Sequence, residues 1–186
     1  MNSGSTSPMR LPAAVKRRAA RVRIALFDVD GVLTDGRLYY SDSGQEMKAF
    51  SVKDGMGLRL LREAGIKCGL VTARKSALVE ARARDLQLHY AFQGVRDKLK
   101  VVDEVLAELK LGYDELLYMG DDLVDLAVLQ RAGLAVSVPD ADPLAISAAH
   151  YVTTRGAGVG AVREVAELVL RAQGRYADLV AQFTSP

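Results

Sequence analysis

The chain has 186 residues, of which 49% are apolar and 26% are charged, and its formal net charge is +2. This length suits one domain with a substantial core and is short for two, and the composition is that of an ordinary soluble globular protein. The single cysteine, Cys68, excludes an internal disulfide, favours a reducing cytoplasm, and lies in an apolar run that predicts a buried thiol. No run of about 18 apolar residues occurs in the sequence, so no membrane-spanning helix is predicted.

The positive charge is concentrated at the N-terminus. Residues 1–27 hold six basic residues and no acidic residue, which leaves 19 basic against 23 acidic residues in the remainder. We interpret residues 1–20, rich in Ser, Pro, Ala and Arg, as a disordered or loosely attached leader, and residues 21–186 as the folded domain. A short basic arm beside a mildly acidic domain is usually only solvated, so we predict neither a nucleic-acid partner nor a membrane partner.

After the leader, short apolar runs alternate with segments of helical spacing or composition. The runs, each predicted to be a strand, are residues 22–27, 66–71, 89–92, 116–119 and 134–138. The helical segments are residues 55–64, 76–86, 97–110, 123–132, 143–149 and 160–173. Near-continuous apolar strands separated by helices indicate an α/β fold: a three-layer, Rossmann-like parallel sheet covered by helices on both faces.

One segment interrupts this alternation between the first strand and the first long helix. Residues 38–40 and 45–51 flank the tetrapeptide Ser-Asp-Ser-Gly, which is typical of a β-hairpin with a four-residue turn. Because ligands of parallel sheets bind beyond the carboxyl ends of the strands, we expect this hairpin to cover a site there as a flap. No other insertion is large enough to form a separate cap domain.

The first strand leads into Asp28-Val29-Asp30-Gly31-Val32-Leu33-Thr34-Asp35-Gly36. Two carboxylates two residues apart on an extended segment point to the same side, and they repel each other unless a cation or a shared proton is present. Carboxylate, carbonyl and water oxygens suit Mg²⁺, and the glycines permit a turn whose amides face phosphate oxygens. An isolated Asp-x-Asp is more often a surface loop or a weak calcium site, but the longer pattern Asp-x-Asp-Gly-x-x-x-Asp is far more specific.

Polar side chains follow the later strands as well. Thr72 follows the second run, where a hydroxyl can either donate to a phosphoryl oxygen or cap a helix. Lys98 follows the third run, although a lone lysine at a helix start is usually solvated. Asp121, Asp122 and Asp125 follow the fourth run, and such a cluster requires a metal or a lysine as its counter-charge. We therefore predict that a carboxylate pair, a hydroxyl, an ammonium group and an acidic cluster converge at one edge of the sheet.

In these motifs the chain resembles the haloacid dehalogenase-like phosphatases over residues 22–173. More narrowly, it is similar to the cap-less subgroup that hydrolyses 3-deoxy-D-manno-octulosonate 8-phosphate, through residues 48–57, 71–74 and 158–164. The resemblance implies an Mg²⁺-dependent phosphatase that forms a phospho-aspartate and acts in lipopolysaccharide synthesis. It also implies a homotetramer in which neighbouring subunits complete each site.

The resemblance further implies a role for each motif residue. Asp28 would be the nucleophile, Asp30 the general acid and then the general base, and Thr72 and Lys98 would hold the phosphoryl group. The implied Mg²⁺ ligands are Asp28, the Asp30 carbonyl and Asp121, supported by Asp122 and Asp125. The implied substrate contacts are Asp30, Ser51, Val52, Lys53, Asp54, Gly55, Arg59, Arg74, Arg82 and Lys98. Arginine side chains suit both the carboxylate and the phosphate of a sugar acid phosphate, although Arg59 and Arg82 could equally lie on solvated helix faces.

Several other functions fit parts of this pattern. The substrate could be a nine-carbon sugar acid phosphate or a nucleotide, because the shape of a pocket cannot be derived from sequence. A phosphomutase is disfavoured, since it needs a cap that closes and returns the phosphoryl group. A non-catalytic oligomeric binding or scaffold module would be expected to lack one of Asp28, Asp30, Lys98 and Asp121, and all four are present.

Overall fold

The computed structural model describes residues 12–184. The strands are β1 (Ile24–Phe27), β2 (Tyr39–Tyr40), β3 (Glu46–Met47), β4 (Lys67–Thr72), β5 (Tyr90–Gln93), β6 (Leu116–Met119), β7 (Leu134–Ser137) and β8 (Tyr151–Val152). The helices are α1 (Ala13–Ala19), α2 (Val52–Glu63), α3 (Ala77–Asp85), α4 (Lys98–Leu109), α5 (Leu126–Leu129), α6 (Pro143–Ala148), α7 (Ala161–Ala172) and α8 (Tyr176–Ala181). Two 3₁₀ turns lie at Tyr113–Glu115 and Leu123–Asp125.

Six strands form one parallel sheet in the order β5–β4–β1–β6–β7–β8, and β2 and β3 form a separate antiparallel hairpin. The chain passes from the central β1 to β4 and β5 on one side and then returns to β6, β7 and β8 on the other. The carboxyl end of β1 is therefore the point at which the strand order reverses, and open α/β sheets bind their ligands at that point.

Both faces of the sheet are covered by helices. Along β1, alternate side chains point to opposite faces, so Ala25 and Phe27 pack in one cluster with α1, α2, α3 and α7, while Ile24 and Leu26 pack in the other with α4, α5 and α6. Burial on both faces explains why the strands are continuously apolar in sequence. The predicted α/β class and three-layer, Rossmann-like architecture are confirmed.

The five predicted strands are all present, with ends within two residues of those expected. The predicted helix at 123–132 divides into the 3₁₀ turn Leu123–Asp125 and the short helix α5. The elements β8 and α8 were not predicted. No helix within residues 12–184 has the length and apolar character needed to cross a lipid bilayer.

Helix α1 corrects the predicted boundary of the leader. Val15 and Ala19, one helical turn apart, are buried in the core, and α1 packs against α7. Arg18 donates from Nη1 to the Gly133 carbonyl at 2.7 Å, so one of the basic residues is tied to the domain. The segment was interpreted as a leader because of its many basic residues. Its narrow apolar stripe, Val15 and Ala19, is nevertheless sufficient to pack a short helix against the domain. Residues 1–11 of the predicted leader lie outside the described residues.

The hairpin has the predicted four-residue turn at residues 41–44, in which the Ser41 amide donates to the Gln45 carbonyl. Its second strand is shorter than expected, because β3 ends at Met47. The chain then leaves the hairpin, and Ser51 caps α2 by accepting hydrogen bonds from the amides of Lys53 and Asp54. A pair of two-residue strands has little stability of its own, so the position of the hairpin depends on its side-chain contacts with the domain.

Candidate active site

The sheet register brings the predicted motifs to one edge. Phe27 pairs with Leu70 in β4 and with Met119 in β6, so the residues just beyond β1 lie between the end of β4 and the loop after β6. The Asp28 amide extends this pairing by donating to the Met119 carbonyl at 2.9 Å. This alignment places Asp28 between the loop that holds Thr72 and the loop that holds Asp121.

Lys98 is buried beside two carboxylates. Its Nζ atom lies 2.6 Å from Oδ1 of Asp28 and 2.7 Å from Oδ1 of Asp125, and only 3% of its side chain is exposed. Burial alone would lower the pKa of Lys98, but the two carboxylates outweigh this effect and raise it, so the lysine stays charged. The alternative of a solvated surface lysine is therefore excluded.

Asp28 is itself buried, and burial raises its pKa to about 6, although the charge of Lys98 opposes the rise. At neutral pH the Asp28 carboxylate is therefore ionised, and because it is buried it is weakly solvated. Weak solvation favours its action as a nucleophile.

The other candidate nucleophile of the chain, Cys68, is also buried. The Cys68 thiol lies in the core and its pKa is raised to about 12, as the predicted buried thiol requires.

Asp125 positions Lys98 through a saturated set of hydrogen bonds. Its Oδ1 accepts from Lys98 and, at 2.6 Å, from the hydroxyl of the fully buried Tyr118. Its Oδ2 accepts from the amides of Asp121 and Asp122 at 3.1 Å and 3.3 Å. The carboxylate thus holds both the lysine and the loop after β6.

Tyr118→Phe tests this arrangement with the loss of one oxygen atom. We expect kcat to fall about tenfold with little change in KM, because one donor to Asp125 is lost and the lysine beside Asp28 is held less firmly. Tyr113→Phe is a matched control, since the Tyr113 hydroxyl donates to the exposed Asp103 at 2.6 Å, away from the site. Equal effects of the two substitutions in a steady-state assay would exclude this role for Tyr118.

The surroundings of Asp121 indicate whether the site suits a metal ion. Its Oδ1 atom is buried and has no hydrogen-bond partner among the described residues, and oxygens of Asp28, Asp121 and Asp125 lie within 4.8 Å of one another. Burial, together with the charges of Asp28 and Asp125, raises the pKa of Asp121 to about 7. A buried acceptor without a donor, beside a second carboxylate, fits a divalent cation with oxygen ligands. The residues therefore suit Mg²⁺, and Asp28 and Asp121 are side chains that could hold it.

Gly31 permits the close approach of the two acidic loops. It has φ +92°, and a Cβ atom at this position would collide with the Asp121 carboxylate. The glycine of the first motif is thus required both by backbone conformation and by space.

Asp122, unlike its neighbour Asp121, is exposed. Its carboxylate accepts a hydrogen bond from the Leu123 amide at 2.7 Å and so caps the following 3₁₀ turn.

The hairpin is tied to the site through Asp30. Lys48, whose side chain is 1% exposed, forms an ion pair with Oδ1 of Asp30. The other oxygen, Oδ2, is buried, has no hydrogen-bond partner within residues 12–184, and lies 3.9 Å from Nε of Arg74. The hairpin therefore covers Asp30 as the predicted flap would, and one oxygen of the expected general acid remains available.

Arg74 lies between Asp30 and the hairpin. Its Nη2 atom donates to Oε1 of Glu46 at 3.0 Å and to the Tyr40 hydroxyl at 3.4 Å. The neighbouring Thr72 is buried at the end of β4, and its Oγ1 accepts from the Arg74 amide at 3.2 Å. Helix α3 begins only at Ala77, so Thr72 is not its N-cap, and the helix-capping alternative is excluded.

Asp54 is a correction to the predicted substrate contacts. It is fully buried, and its two oxygens accept from the amides of Gly160 at 3.1 Å and Arg163 at 2.8 Å at the N-terminus of α7. These are the hydrogen bonds of a helix-capping carboxylate, which leave no exposed surface for a substrate. The carboxylate was mistaken for a ligand-binding group because a cap supplied from another part of the chain leaves no local sequence signal.

The remaining predicted contacts form a second group at the start of α2. The set consists of Ser51, Val52, Lys53, Gly55, Arg59 and Arg82. Val52, Gly55, Arg59 and Arg82 line a groove of about 490 Å³ between α2 and α3. Arg82 donates to the Ser51 carbonyl at 3.2 Å, and Arg59 to Glu63 at 2.7 Å. Within residues 12–184, no hydrogen bond or ion pair joins this group to Asp28, Asp30, Lys98 or Asp121.

Sequence reasoning assigned no individual role to four residues of the site: Glu46, Lys48, Ser76 and Tyr118. Tyr118 offered a signal, because a tyrosine in a fully apolar strand needs a partner for its hydroxyl. The hairpin residues offered none, since their partners are 18 to 30 positions away in the chain.

A parallel sheet that presents an aspartate pair, a hydroxyl, a buried lysine and an acidic cluster at its switch point has the fold and site of the haloacid dehalogenase-like hydrolases. A model of this family, described as haloacid dehalogenase-like hydrolase, matches residues 92–164. Known proteins named 3-deoxy-D-manno-octulosonate 8-phosphate phosphatase match more of the chain. One from Yersinia pestis is 45% identical over 161 residues, 87% of this chain and 86% of that protein. Another, from Escherichia coli K12, is 42% identical over 170 residues, 91% of this chain and 90% of that protein.

Among solved structures, the phosphatase of this name from Moraxella catarrhalis is described in complex with a magnesium ion, a phosphate ion and a KDO molecule. It has a TM-score of 0.89 and 38% sequence identity, and the match covers 91% of this chain and 97% of that chain. The chain therefore belongs to the haloacid dehalogenase-like hydrolases, in the group of 3-deoxy-D-manno-octulosonate 8-phosphate phosphatases. The resemblance detected in the motifs is confirmed.

Proposed function

We propose that the protein is an Mg²⁺-dependent phosphatase that hydrolyses 3-deoxy-D-manno-octulosonate 8-phosphate to the free sugar acid and phosphate. The observation that carries this proposal is the convergence of Asp28, Lys98 and Asp121. A buried lysine lies 2.6 Å from the expected nucleophile, and a buried oxygen of Asp121 has no hydrogen-bond partner in the part of the chain that the structure describes. The names of the relatives, and the magnesium, phosphate and KDO described for the Moraxella structure, support the choice of metal and substrate.

The first half of the reaction transfers the phosphoryl group to Asp28. A carboxylate oxygen of Asp28 attacks phosphorus in line with the leaving oxygen, the P–O bond to the sugar breaks, and Asp30 donates a proton to the departing alkoxide. Lys98 and the Thr72 hydroxyl contact the phosphoryl oxygens as negative charge spreads over them. When bound by Asp28, the Asp30 carbonyl and Asp121, Mg²⁺ would supply further positive charge to these oxygens.

The second half releases phosphate. Asp30, now ionised, takes a proton from water, which attacks phosphorus and breaks the bond to Asp28. Asp30 is suited to both steps because Oδ1 is held by Lys48 while Oδ2 has no hydrogen-bond partner among the described residues. The hairpin above it limits the access of bulk water and of large substrates.

We also propose that the protein acts as a homotetramer in which a neighbouring subunit completes each site. Two features support this. The groove lined by Arg59 and Arg82 belongs to the expected substrate contacts, but no hydrogen bond or ion pair among the described residues joins these arginines to Asp28. In addition, Leu38, Tyr40 and Met47 expose apolar surface on the hairpin, as residues of an interface would. A cytoplasmic location and a role in lipopolysaccharide synthesis complete the proposal.

The test is phosphate release from a panel of substrates by the purified protein, with Mg²⁺ and with EDTA. The panel contains the eight-carbon sugar acid phosphate, a nine-carbon sugar acid phosphate, a nucleotide, a neutral sugar phosphate and an aryl phosphate. We expect the highest kcat/KM for the eight-carbon substrate, and loss of activity with EDTA. Preference for the nine-carbon ester or the nucleotide would establish the corresponding alternative, and no metal-dependent release from any ester would favour a scaffold.

A further inference from the structure

We propose that Glu46 occupies the binding position of the substrate's own carboxylate, and that a phosphate ester with a second anionic group displaces Glu46 when it binds. The inference rests on the proposed phosphatase function and adds a specificity-determining residue to it. Glu46 itself touches no reacting atom and acts through Arg74.

The position is built from three donors around one carboxylate. Arg74 Nη2 and Ser76 Oγ each lie 3.0 Å from an oxygen of Glu46, and Lys48 Nζ lies 3.5 Å from Oε1. Hydrogen bonds from Ser76 and Arg74 outweigh the effect of burial and lower the pKa of Glu46, so the side chain is ionised at neutral pH. This is a preformed site for a carboxylate, filled by a residue of the hairpin.

The position lies on the leaving-group side of the reaction. Lys48 forms an ion pair with Asp30 and also faces Glu46, and Arg74 Nε is 3.9 Å from Oδ2 of Asp30. Because Asp30 protonates the departing alkoxide, groups around it face the sugar and not the phosphoryl group. A carboxylate on that sugar can therefore reach Arg74 and Lys48, the cations that Glu46 contacts.

Exchange of one carboxylate for another keeps the charges of Arg74 and Lys48 compensated. A neutral sugar that displaced Glu46 would leave these cations without an anion, and a neutral sugar that left Glu46 in place would find the position filled. A neutral ester therefore binds with Glu46 in place, whereas an anionic ester competes with Glu46 for Arg74 and Lys48. The competition is modest, because 43% of the Arg74 side chain is exposed and the ion pair is partly screened.

Glu46→Gln tests the inference while retaining a side chain that can still accept from Ser76. We expect KM for the sugar acid phosphate to fall about fivefold at nearly constant kcat, while KM for the neutral sugar phosphate and the aryl phosphate changes less than about twofold. Asp42→Asn is the matched control: it removes one negative charge from the exposed turn of the same hairpin and should leave every KM unchanged.

A higher KM for the sugar acid phosphate in Glu46→Gln, or equal changes for all esters, would overturn the inference, since either result means that Glu46 only orients Arg74 or the hairpin. If the wild-type enzyme prefers a different carboxylate-bearing ester, the proposed substrate is wrong, and the same comparison is made with that ester. If it prefers a neutral ester, the inference fails whatever the effect of the substitution.

Discussion

Asp28→Asn is expected to reduce kcat by at least about 1,000-fold without unfolding the protein. The amide keeps the shape of the side chain but cannot attack phosphorus at a useful rate, and nucleophile substitutions remove most of the catalytic acceleration. The fold should persist because Lys98 retains Asp125 as a partner at 2.7 Å and because a neutral amide is less costly to bury than a carboxylate. Circular dichroism and thermal melting should therefore match the wild type.

Chemical trapping identifies the nucleophile independently of the loss of activity. Borohydride reduces an acyl phosphate to an alcohol, so quenching the enzyme during turnover should convert residue 28 to homoserine, which mass spectrometry of the peptide detects. Asp30 lies in the same peptide and serves as an internal control, since it should remain unmodified. Retention of more than about a tenth of kcat in Asp28→Asn, or reduction at Asp30 instead, would refute the assignment.

The positions of the motif residues could be predicted because strand ends carry a strong signal. Each apolar run is buried on both faces, and a parallel sheet places all carboxyl ends at one edge, so order along the chain becomes proximity in space. This reasoning was sufficient for Asp28, Thr72, Lys98 and Asp121. The burial of Lys98 went against its usual surface preference, and only the unpaired carboxylates nearby indicated it.

Contacts between distant segments could not be predicted in the same way. Asp54 caps α7 from a position 106 residues before Gly160, and the sequence near either residue contains no sign of the pairing. The hairpin is comparable: its strands are too short to fix its orientation, which Lys48, Glu46 and their partners determine through side-chain contacts. The local sequence pattern thus predicted the position of the candidate active site. The side chains that hold the hairpin and the helix ends in place could be identified only from the structure.

The second large effect concerns the dependence of stability on pH and Mg²⁺. Without a metal, the pKa values of Asp28 and Asp121 are raised to about 6 and about 7, chiefly by burial, whereas both groups ionise near 3.8 in the unfolded chain. Between about pH 4 and pH 7 the folded state therefore binds more protons than the unfolded state. Stability then decreases as pH rises through this window, because each carboxylate gains a negative charge that burial disfavours more than its neighbours favour it.

Mg²⁺ should reverse this trend because it binds only the ionised carboxylates. Protons compete with the metal at pH 5, so we expect a small increase in Tm on adding Mg²⁺ there and a large increase at pH 8. In EDTA, Tm should fall between pH 5 and pH 8, and saturating Mg²⁺ should flatten the curve. The measurement is thermal melting at four pH values with EDTA or with Mg²⁺.

Asp121→Asn separates this effect from the titration of the rest of the protein. The variant lacks the group whose pKa is about 7 and lacks one of the two expected side-chain ligands. Its Tm in EDTA should therefore fall less between pH 5 and pH 8 than that of the wild type, and Mg²⁺ should raise it little at any pH. Asp122→Asn should behave like the wild type, because its exposed carboxylate only caps the neighbouring turn. An increase in Tm with Mg²⁺ that is independent of pH, or that survives in Asp121→Asn, would contradict a metal site built on Asp28 and Asp121.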